Sequence, residues 1–204
     1  MKKIMFNDKY GLTQAVLEGK KTQTRRLTKL DKLGEYNISR VRTQPLGEAT
    51  LQAFIKNDAA FKVGEVIAIA QKYSETSWDR TIYDKLLKMC DGLLPQYTLA
   101  GWDNKMFVKA DLMPHHIRII KIRIERLQDI SDEDCLAEGI WRADNVGLEG
   151  TTYWYHGLVN SFFRTPQEAY ASLIDRISGK GTWESNPYVF VYDFEVIDTN
   201  DIKK

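Results

Sequence analysis

The sequence predicts an α+β domain or a small barrel, because strand-like segments come first, mid-chain and last, with short helical segments between them. The strand-like segments are Lys3–Phe6, Val66–Gln71, Arg118–Arg126 and Tyr188–Ile197. A doubly wound sheet would instead alternate strands and helices regularly. The 204 residues are 43% hydrophobic, which suffices for a sizeable core. No apolar run approaches the roughly 20 residues that span a bilayer.

The chain opens with a predicted strand, Lys3–Phe6, and a predicted helix over residues 9–18. Asp8 can cap this helix, since its side chain can accept a hydrogen bond from a free backbone amide. Apolar residues one turn apart mark the inner face, and Gly19 suits a left-handed stop.

The middle of the chain is less regular. Residues 22–60 are polar without a strong period and predict loops with at most one short helix. Val66–Gln71 indicates a buried strand, introduced by a Val-Gly-Glu turn at residues 63–65. Within the aromatic- and lysine-rich residues 74–111, the segment Tyr83–Cys90 is predicted to be a helix.

The second half carries clearer patterns. A period of two over Arg118–Arg126 predicts a half-buried strand whose even-numbered isoleucines face inward. Ser131 and the three acidic residues after it predict the start of a short helix that ends at Gly139. A capping box beginning at Thr165 opens another predicted helix, which ends at Gly179.

Charge is balanced over the chain, at +1, but not along it. Between Glu18 and Arg42 eight lysines and arginines face three acidic residues, a local excess of +5 that leaves −4 for the remainder. This pattern predicts polyanion binding at one patch rather than over the whole surface. The alternative is a solvated basic loop without a partner.

The sequence has no phosphate loop, GxGxxG, GxSxG, CxxC or HExxH. It therefore lacks the usual motifs of nucleoside-triphosphate and dinucleotide binding, of serine hydrolases and of zinc sites. His115 and His116 are adjacent and would point to opposite faces of a strand, so we expect no metal site and no cofactor. Cys90 and Cys135 do not form a disulfide framework, and we expect buried free thiols in a reducing cytoplasm. Charged residues interrupt the N-terminus before an apolar segment develops, so we expect neither a secretion signal nor a membrane partner.

The most informative segment is residues 19–26, Gly-Lys-Lys-Thr-Gln-Thr-Arg-Arg. If Lys21 and Thr24 converge, an amine lies beside a hydroxyl, and an amine whose pKa is lowered by nearby cations can act as a base toward that hydroxyl. Lys20, Arg25 and Arg26 could supply those cations, or could bind phosphate instead. A solvated surface turn without chemistry is the alternative.

The chain resembles the ASCH domains, a PUA-like family, and is most similar to their phage and prophage branch. The resemblance covers roughly half of the chain. The matching stretches are residues 4–6, 19–26, 63–65, Met113-Pro114 with the isoleucine strand after it, 127–134, 137–140, Trp183 and residues 186–189 with the final strand.

This resemblance implies a PUA-like small mixed β-barrel with flanking short helices and a cleft beside residues 19–26. It implies one domain over residues 1–198, followed by a polar tail at 199–204. The loop and helix insertions in that domain are expected at about 28–60, 76–111 and 141–164.

The resemblance also implies function. The family is generally proposed to bind RNA or nucleotides, and the residues expected to do so are Lys20, Lys21, Thr22, Arg25 and Arg26, with Trp183 or Tyr188 stacking on a base. The alternative comes from a distant similarity to an N4-acetylcytidine amidohydrolase, which implies Lys21 as base, Thr24 as nucleophile and Glu138 as proton donor. A third hypothesis, a phage-related protein whose insertions bind a host protein, has no identified partner.

Overall fold

In a computed structural model the chain forms a five-stranded mixed sheet surrounded by helices, which confirms the predicted α+β class. The structure describes residues 1–30, 47–91, 93–144, 150–158 and 162–197. The predicted tail at 199–204, and the part of the basic segment that follows Leu30, lie outside the described residues. No helix in the described part of the chain is long and apolar enough to cross a membrane.

Within these ranges the strands are numbered in chain order. Strands β1 to β7 span Lys2–Ile4, Gln23–Leu27, Val66–Ile69, His116–Arg126, Trp141–Asp144, Thr151–Trp154 and Tyr188–Ile197. Helices α1 to α8 span Leu12–Leu17, Glu48–Asp58, Tyr73–Thr76, Arg80–Met89, Pro95–Thr98, Asp132–Ala137, Pro166–Ser178 and Thr182–Ser185. Short 3-10 turns lie at Asp8–Tyr10, Lys105–Phe107, Ala110–Leu112 and Leu127–Asp129.

The main sheet has the strand order β1-β3-β4-β7-β2, and β5 and β6 form a separate hairpin. Strand β1 is parallel to β3, whereas the other neighbours are antiparallel. Among the described strands no pairing joins β1 to β2, so the sheet is open and a closed barrel is not seen. Strand β2 is therefore an edge strand among the described strands, and residues 23–26 of the segment singled out in the sequence lie on it.

Strand β4 departs from the predicted alternation at one point. Its register against β7 shifts between Ile119 and Lys121, which is a β-bulge. The extra residue reverses which side chains face inward, so Ile117 and Ile119 are fully buried while Ile120 is 52% exposed. The prediction that every even-numbered isoleucine faces inward is therefore wrong for the first of them.

The N-terminal segment also differs from its prediction. The strand ends at Ile4, and the predicted helix over residues 9–18 is a 3-10 turn followed by α1. Gly11 separates the two at φ 64°, and a Cβ there would lie 2.8 Å from the His156 ring. Only glycine fits both the backbone conformation and this close approach. Asn7, not Asp8, caps the turn by accepting a hydrogen bond from the Lys9 amide.

Two apolar clusters hold the elements together. The larger lies between the sheet and helices α1 and α7, with aromatic side chains of β7 at its centre. The smaller lies beside β3 and is built from the predicted insertion at 76–111 together with its flanks. Its buried members are Ala68, Ala70, Tyr73, Ile82, Leu86, Val108 and Met113.

Candidate functional site

Lys21 is positioned by the turn between α1 and β2. Gly19 ends the helical region at φ 69°, and the amides of Lys20 and Lys21 both donate to the Ala15 carbonyl at 2.9 Å. The chain then enters β2 at Gln23. The sequence-predicted stop at Gly19 thus directs the Lys21 side chain inward, where it is 1% exposed.

Glu138 is positioned by the end of α6. Ser131 caps that helix by accepting from the Asp134 amide at 3.2 Å, and Gly139 follows the helix at φ 99°, as the sequence predicts for both ends. A Cβ on Gly139 would lie 3.2 Å from a Leu12 methyl, so glycine lets this turn pack closely against α1. The Thr22 amide donates to the Ala137 carbonyl at 3.0 Å and joins the two segments directly.

Lys21 and Glu138 meet in a buried contact. The Lys21 Nζ lies 2.5 Å from Glu138 Oε2 and 2.7 Å from the Glu138 carbonyl oxygen, and the Glu138 side chain is 6% exposed. Burial lowers the pKa of Lys21, and the attraction of Glu138 only partly offsets that effect. The direction of this shift is the one that the sequence argument for a base requires, with burial as its main cause and the nearby arginines as minor ones.

Arg25 holds the other side of the Glu138 carboxylate. Its fully buried guanidinium lies 3.2 Å from Glu138 Oε1, and closer to two further carboxylates, at 2.5 Å from Glu125 and 2.8 Å from Asp134. Burial works against the charged form of Arg25, but the charges of Glu138 and Glu125 outweigh it and raise the pKa of Arg25. The sequence assigned Arg25 to phosphate binding, but the structure places its charge among carboxylates of the same chain.

The ion-pair network extends outward from Arg25. Arg123 pairs with Glu125 at 2.9 Å, with Asp193 at 2.8 Å and also with Asp134. The Gln23 amide donates to Asp193 at 2.5 Å and to Asp134 at 3.0 Å. Strands β2, β4 and β7 and helix α6 therefore hold Arg25 rigidly.

A cavity of about 740 Å³ lies at the open edge of β2. Its lining includes Lys21, Thr24 and Glu138, the three residues that the amidohydrolase resemblance singled out, and Thr24 is 5% exposed. Helix α7 supplies an apolar wall that contains Tyr170 and Leu173. The volume falls within the range of about 300–1,000 Å³ that small-molecule sites occupy.

Arg26 reaches the same cavity from the exposed end of β2. It also lines a second, smaller hollow of about 160 Å³ and donates to the Met5 carbonyl oxygen at 2.8 Å. Among the described residues no carboxylate lies within ion-pair distance of its guanidinium. Burial lowers the pKa of Arg26, and the charge of Glu138 opposes that change.

The other residues assigned to RNA or ligand binding lie outside this cavity. Lys20 pairs with Glu18 at 2.7 Å and lies over the Trp141 ring at 3.8 Å. Thr22 is exposed beside the turn. Trp183 packs edge-on against Tyr170, and the guanidinium carbon of Arg126 lies 3.7 Å from the centroid of the Tyr188 ring. Their roles in binding stay predictions, but they cannot contact a ligand held deep in the cavity.

Two features of the site were missed by sequence reasoning. Lys105, from the insertion at 76–111, lines the cavity and pairs with Asp8 at 2.6 Å, and no motif marks it. The acidic residues around Arg25 were also missed, although Asp134 was recognised as part of a helix start. The sequence signal for them was the pairing of Arg123 with Glu125 two residues later on the same face of β4, which indicates an ion pair.

A metal centre has no support in the part of the chain that the structure describes, where no three histidine, cysteine, aspartate or glutamate residues are grouped as ligands. Cys90 and Cys135 are buried free thiols, as the sequence predicts. Burial raises the pKa of Cys135 to about 12, so this thiol is not a nucleophile at neutral pH.

Comparison with known proteins gives no family assignment. No family model matches the chain, and no curated protein matches it. Among solved structures, the chain is similar to protein EF3133 from Enterococcus faecalis V583, described by the family name DUF984. The match has 15% sequence identity and a TM-score of 0.38, and covers 100% of this chain and 82% of the other. A likeness this distant carries no argument about function.

Proposed function

We propose that the protein hydrolyses an acyl amide on a nucleoside-like ligand, of the N4-acetylcytidine kind, in the cavity beside residues 19–26. The observation that supports this most is the buried 2.5 Å contact between Lys21 and Glu138 in the wall of a cavity that Thr24 also lines. Such a reaction needs a base, a nucleophile and an acid around one hollow. The proposal includes membership of the ASCH family, with the five-stranded sheet as an unclosed form of the family's PUA-like barrel.

The Lys21–Glu138 pair can supply both the base and the acid without taking up a proton. An ammonium beside a carboxylate and a neutral amine beside a carboxylic acid contain the same number of protons. Burial disfavours the ammonium form of Lys21, which brings the two arrangements closer in free energy. The neutral arrangement is the reactive one.

Arg25 holds Glu138 as one member of a larger network. It has two shorter contacts, to Glu125 and Asp134, and four carboxylates surround the three cations of the network. Arg25 therefore acts as a positioning residue, which holds the carboxyl group of Glu138 through the 3.2 Å contact.

The proposed reaction has two halves. In the first, Thr24 Oγ1 bonds to the acyl carbon while its proton passes to the Lys21 amine. The carbon–nitrogen bond then breaks, and Glu138 gives its proton to the departing amine. This half leaves an ester on Thr24, an ammonium on Lys21 and a carboxylate on Glu138.

In the second half, water attacks the ester carbon and Glu138 accepts a proton from that water. The bond to Thr24 breaks, and the oxygen of Thr24 takes back the proton held by Lys21. The products are a carboxylic acid and the free enzyme in its starting protonation state.

The test is the initial rate of cytidine release from N4-acetylcytidine, followed by chromatography. The wild type is expected to turn over, and Thr24→Ala is expected to lose at least a hundredfold in kcat. Thr50→Ala is the matched control, because Thr50 is an exposed threonine on α2 that does not line the cavity. No turnover by the wild type, or turnover retained by Thr24→Ala, would refute the hydrolase.

A second candidate function, binding of RNA or a nucleotide, is favoured by one observation, the guanidinium of Arg26, which lines the cavity without an ion pair among the described residues. Phosphate contacts make affinity fall with salt, and each contact contributes about one to the slope of log affinity against log salt. Arg26→Gln is therefore expected to weaken binding of a short single-stranded RNA and reduce that slope by about one. Salt-independent binding, or an unchanged slope, would exclude Arg26 as a phosphate ligand.

A further inference from the structure

The hydroxyl of Tyr170 is buried without a hydrogen-bond partner among the described residues. The side chain is 2% exposed, lies on α7 and lines the large cavity. A hydroxyl removed from water without a partner destabilises the protein, so native structures nearly always pair such groups. The exception at Tyr170 needs a physical explanation.

Three other buried tyrosines in the same chain show the usual behaviour. The Tyr73 hydroxyl accepts from the Lys109 amide at 2.8 Å, and the Tyr192 hydroxyl accepts from the Ala60 amide at 3.0 Å. The Tyr155 hydroxyl bonds the Ser172 hydroxyl at 2.8 Å. None of these three lines the large cavity. The unpaired hydroxyl is the one beside the proposed reacting groups.

The Tyr170 ring is held in place by its neighbours. The Trp183 ring contacts it edge-on, with centroids 6.2 Å apart at 78°, and the Arg25 guanidinium carbon lies 5.9 Å from its centroid. Burial raises the pKa of Tyr170 well above its usual value, and the charge of Glu138 adds to the effect. The hydroxyl therefore keeps its proton near neutral pH and acts as a hydrogen-bond donor.

We propose that Tyr170 is a ligand-binding residue whose hydroxyl donates a hydrogen bond to a carbonyl oxygen of the ligand in the cavity. This inference rests on the proposed function only in taking the cavity as the ligand site. It narrows the ligand to one that presents a carbonyl acceptor beside Glu138, as an acyl amide or a pyrimidine base does. The described residues offer the hydroxyl no partner, and the bound ligand supplies one.

The experiment compares Tyr170→Phe with Tyr155→Phe, each of which removes one buried hydroxyl and nothing else. In thermal unfolding without ligand, Tyr155→Phe loses its bond to Ser172 and is expected to lower Tm by a few degrees. Tyr170→Phe is expected to leave Tm unchanged or raise it, because no internal bond is lost. An equal loss of Tm in both variants would overturn the proposal.

The second readout is binding and turnover of N4-acetylcytidine. Tyr170→Phe is expected to raise Kd, and to lower kcat/KM, by about tenfold or more, while Tyr155→Phe stays within about twofold of the wild type. Unchanged Kd in Tyr170→Phe would overturn the role of Tyr170 and leave the hydrolase standing. Binding without turnover by the wild type would overturn the hydrolase alone, and a wild type that does not bind would overturn both.

Discussion

Separating Lys21 from Glu138 in a double-mutant cycle tests whether the buried pair is energetically coupled. At 2.5 Å and an effective dielectric constant of about 20, the attraction between two unit charges is about 7 kcal/mol before desolvation is subtracted. Removing one partner of a buried pair typically costs about 3–5 kcal/mol, because the other charge is left without compensation.

The two single variants are expected to differ. Glu138→Gln leaves the Lys21 ammonium with the Glu138 backbone carbonyl as its remaining acceptor, so we expect a loss of about 3–4 kcal/mol in the free energy of unfolding. Lys21→Met leaves Glu138 paired with Arg25 at 3.2 Å, so we expect a smaller loss, about 2 kcal/mol. The double variant removes both charges and is expected to lose about 2 kcal/mol less than the two single losses combined.

The assay is urea denaturation at neutral pH, followed by tryptophan fluorescence. A coupling energy below about 0.5 kcal/mol would show that the two groups do not interact in solution. Equal losses in the two single variants would show that Arg25 does not compensate Glu138. Either result would refute the description of the site as one electrostatic unit.

Three further predictions concern the groups around the pair. Arg25→Gln is expected to lower the free energy of unfolding by about 3–5 kcal/mol. The control is its exposed neighbour, and Arg26→Gln is expected to change that free energy by less than about 0.5 kcal/mol. Similar urea midpoints for the two variants would contradict a stabilising ion-pair network around Arg25. Cys135 has a pKa of about 12, so a thiol reagent applied at about pH 8 is expected to modify it only after denaturation, and rapid labelling of the native Cys90→Ala protein would disprove this. Burial works against the ionised form of Asp134, but hydrogen bonds from Arg25 and Gln23 outweigh it and lower its pKa. The native state therefore binds fewer protons than the unfolded state as pH falls through 3.8, and the free energy of unfolding declines in that range. Asp134→Asn is expected to make this decline less steep. An unchanged decline would exclude the ion pairs of Asp134.

Local signals in the sequence determined much of the fold. The caps at Ser131 and Thr165 and the stops at Gly139 and Gly179 all mark real helix ends, because capping depends on a few neighbouring atoms. The long final strand follows from its apolar pattern in the same way. Such features do not depend on distant parts of the chain.

Features that depend on tertiary pairing were harder to predict. Strand β2 is made of Gln23, Thr24, Arg25, Arg26 and Leu27, residues that show no apolar alternation. It forms because β7 offers a partner edge, and its polar inner residues are tolerated because carboxylates from other elements neutralise Arg25. The bulge in β4 likewise leaves no mark in a run of alternating isoleucines and charged residues.

For the site, the resemblance placed Lys21, Thr24 and Glu138 together, and all three line one cavity. Their chemical roles stay predictions. The Tyr170 hydroxyl could not have been singled out, since its position on the inner face of α7 looks like that of any core aromatic. Whether a buried hydroxyl has a hydrogen-bond partner depends on residues that are distant in the sequence and adjacent only in the folded protein.

The central claim is that the cavity binds the ligand. A crystal structure of the Thr24→Ala protein soaked with N4-acetylcytidine tests this claim most directly. We expect the nucleoside in the cavity, with its acyl group between residue 24 and Glu138 and a ligand oxygen within hydrogen-bond distance of Tyr170. A nucleoside bound on another face, or a cavity without ligand at saturating concentration, would contradict the account.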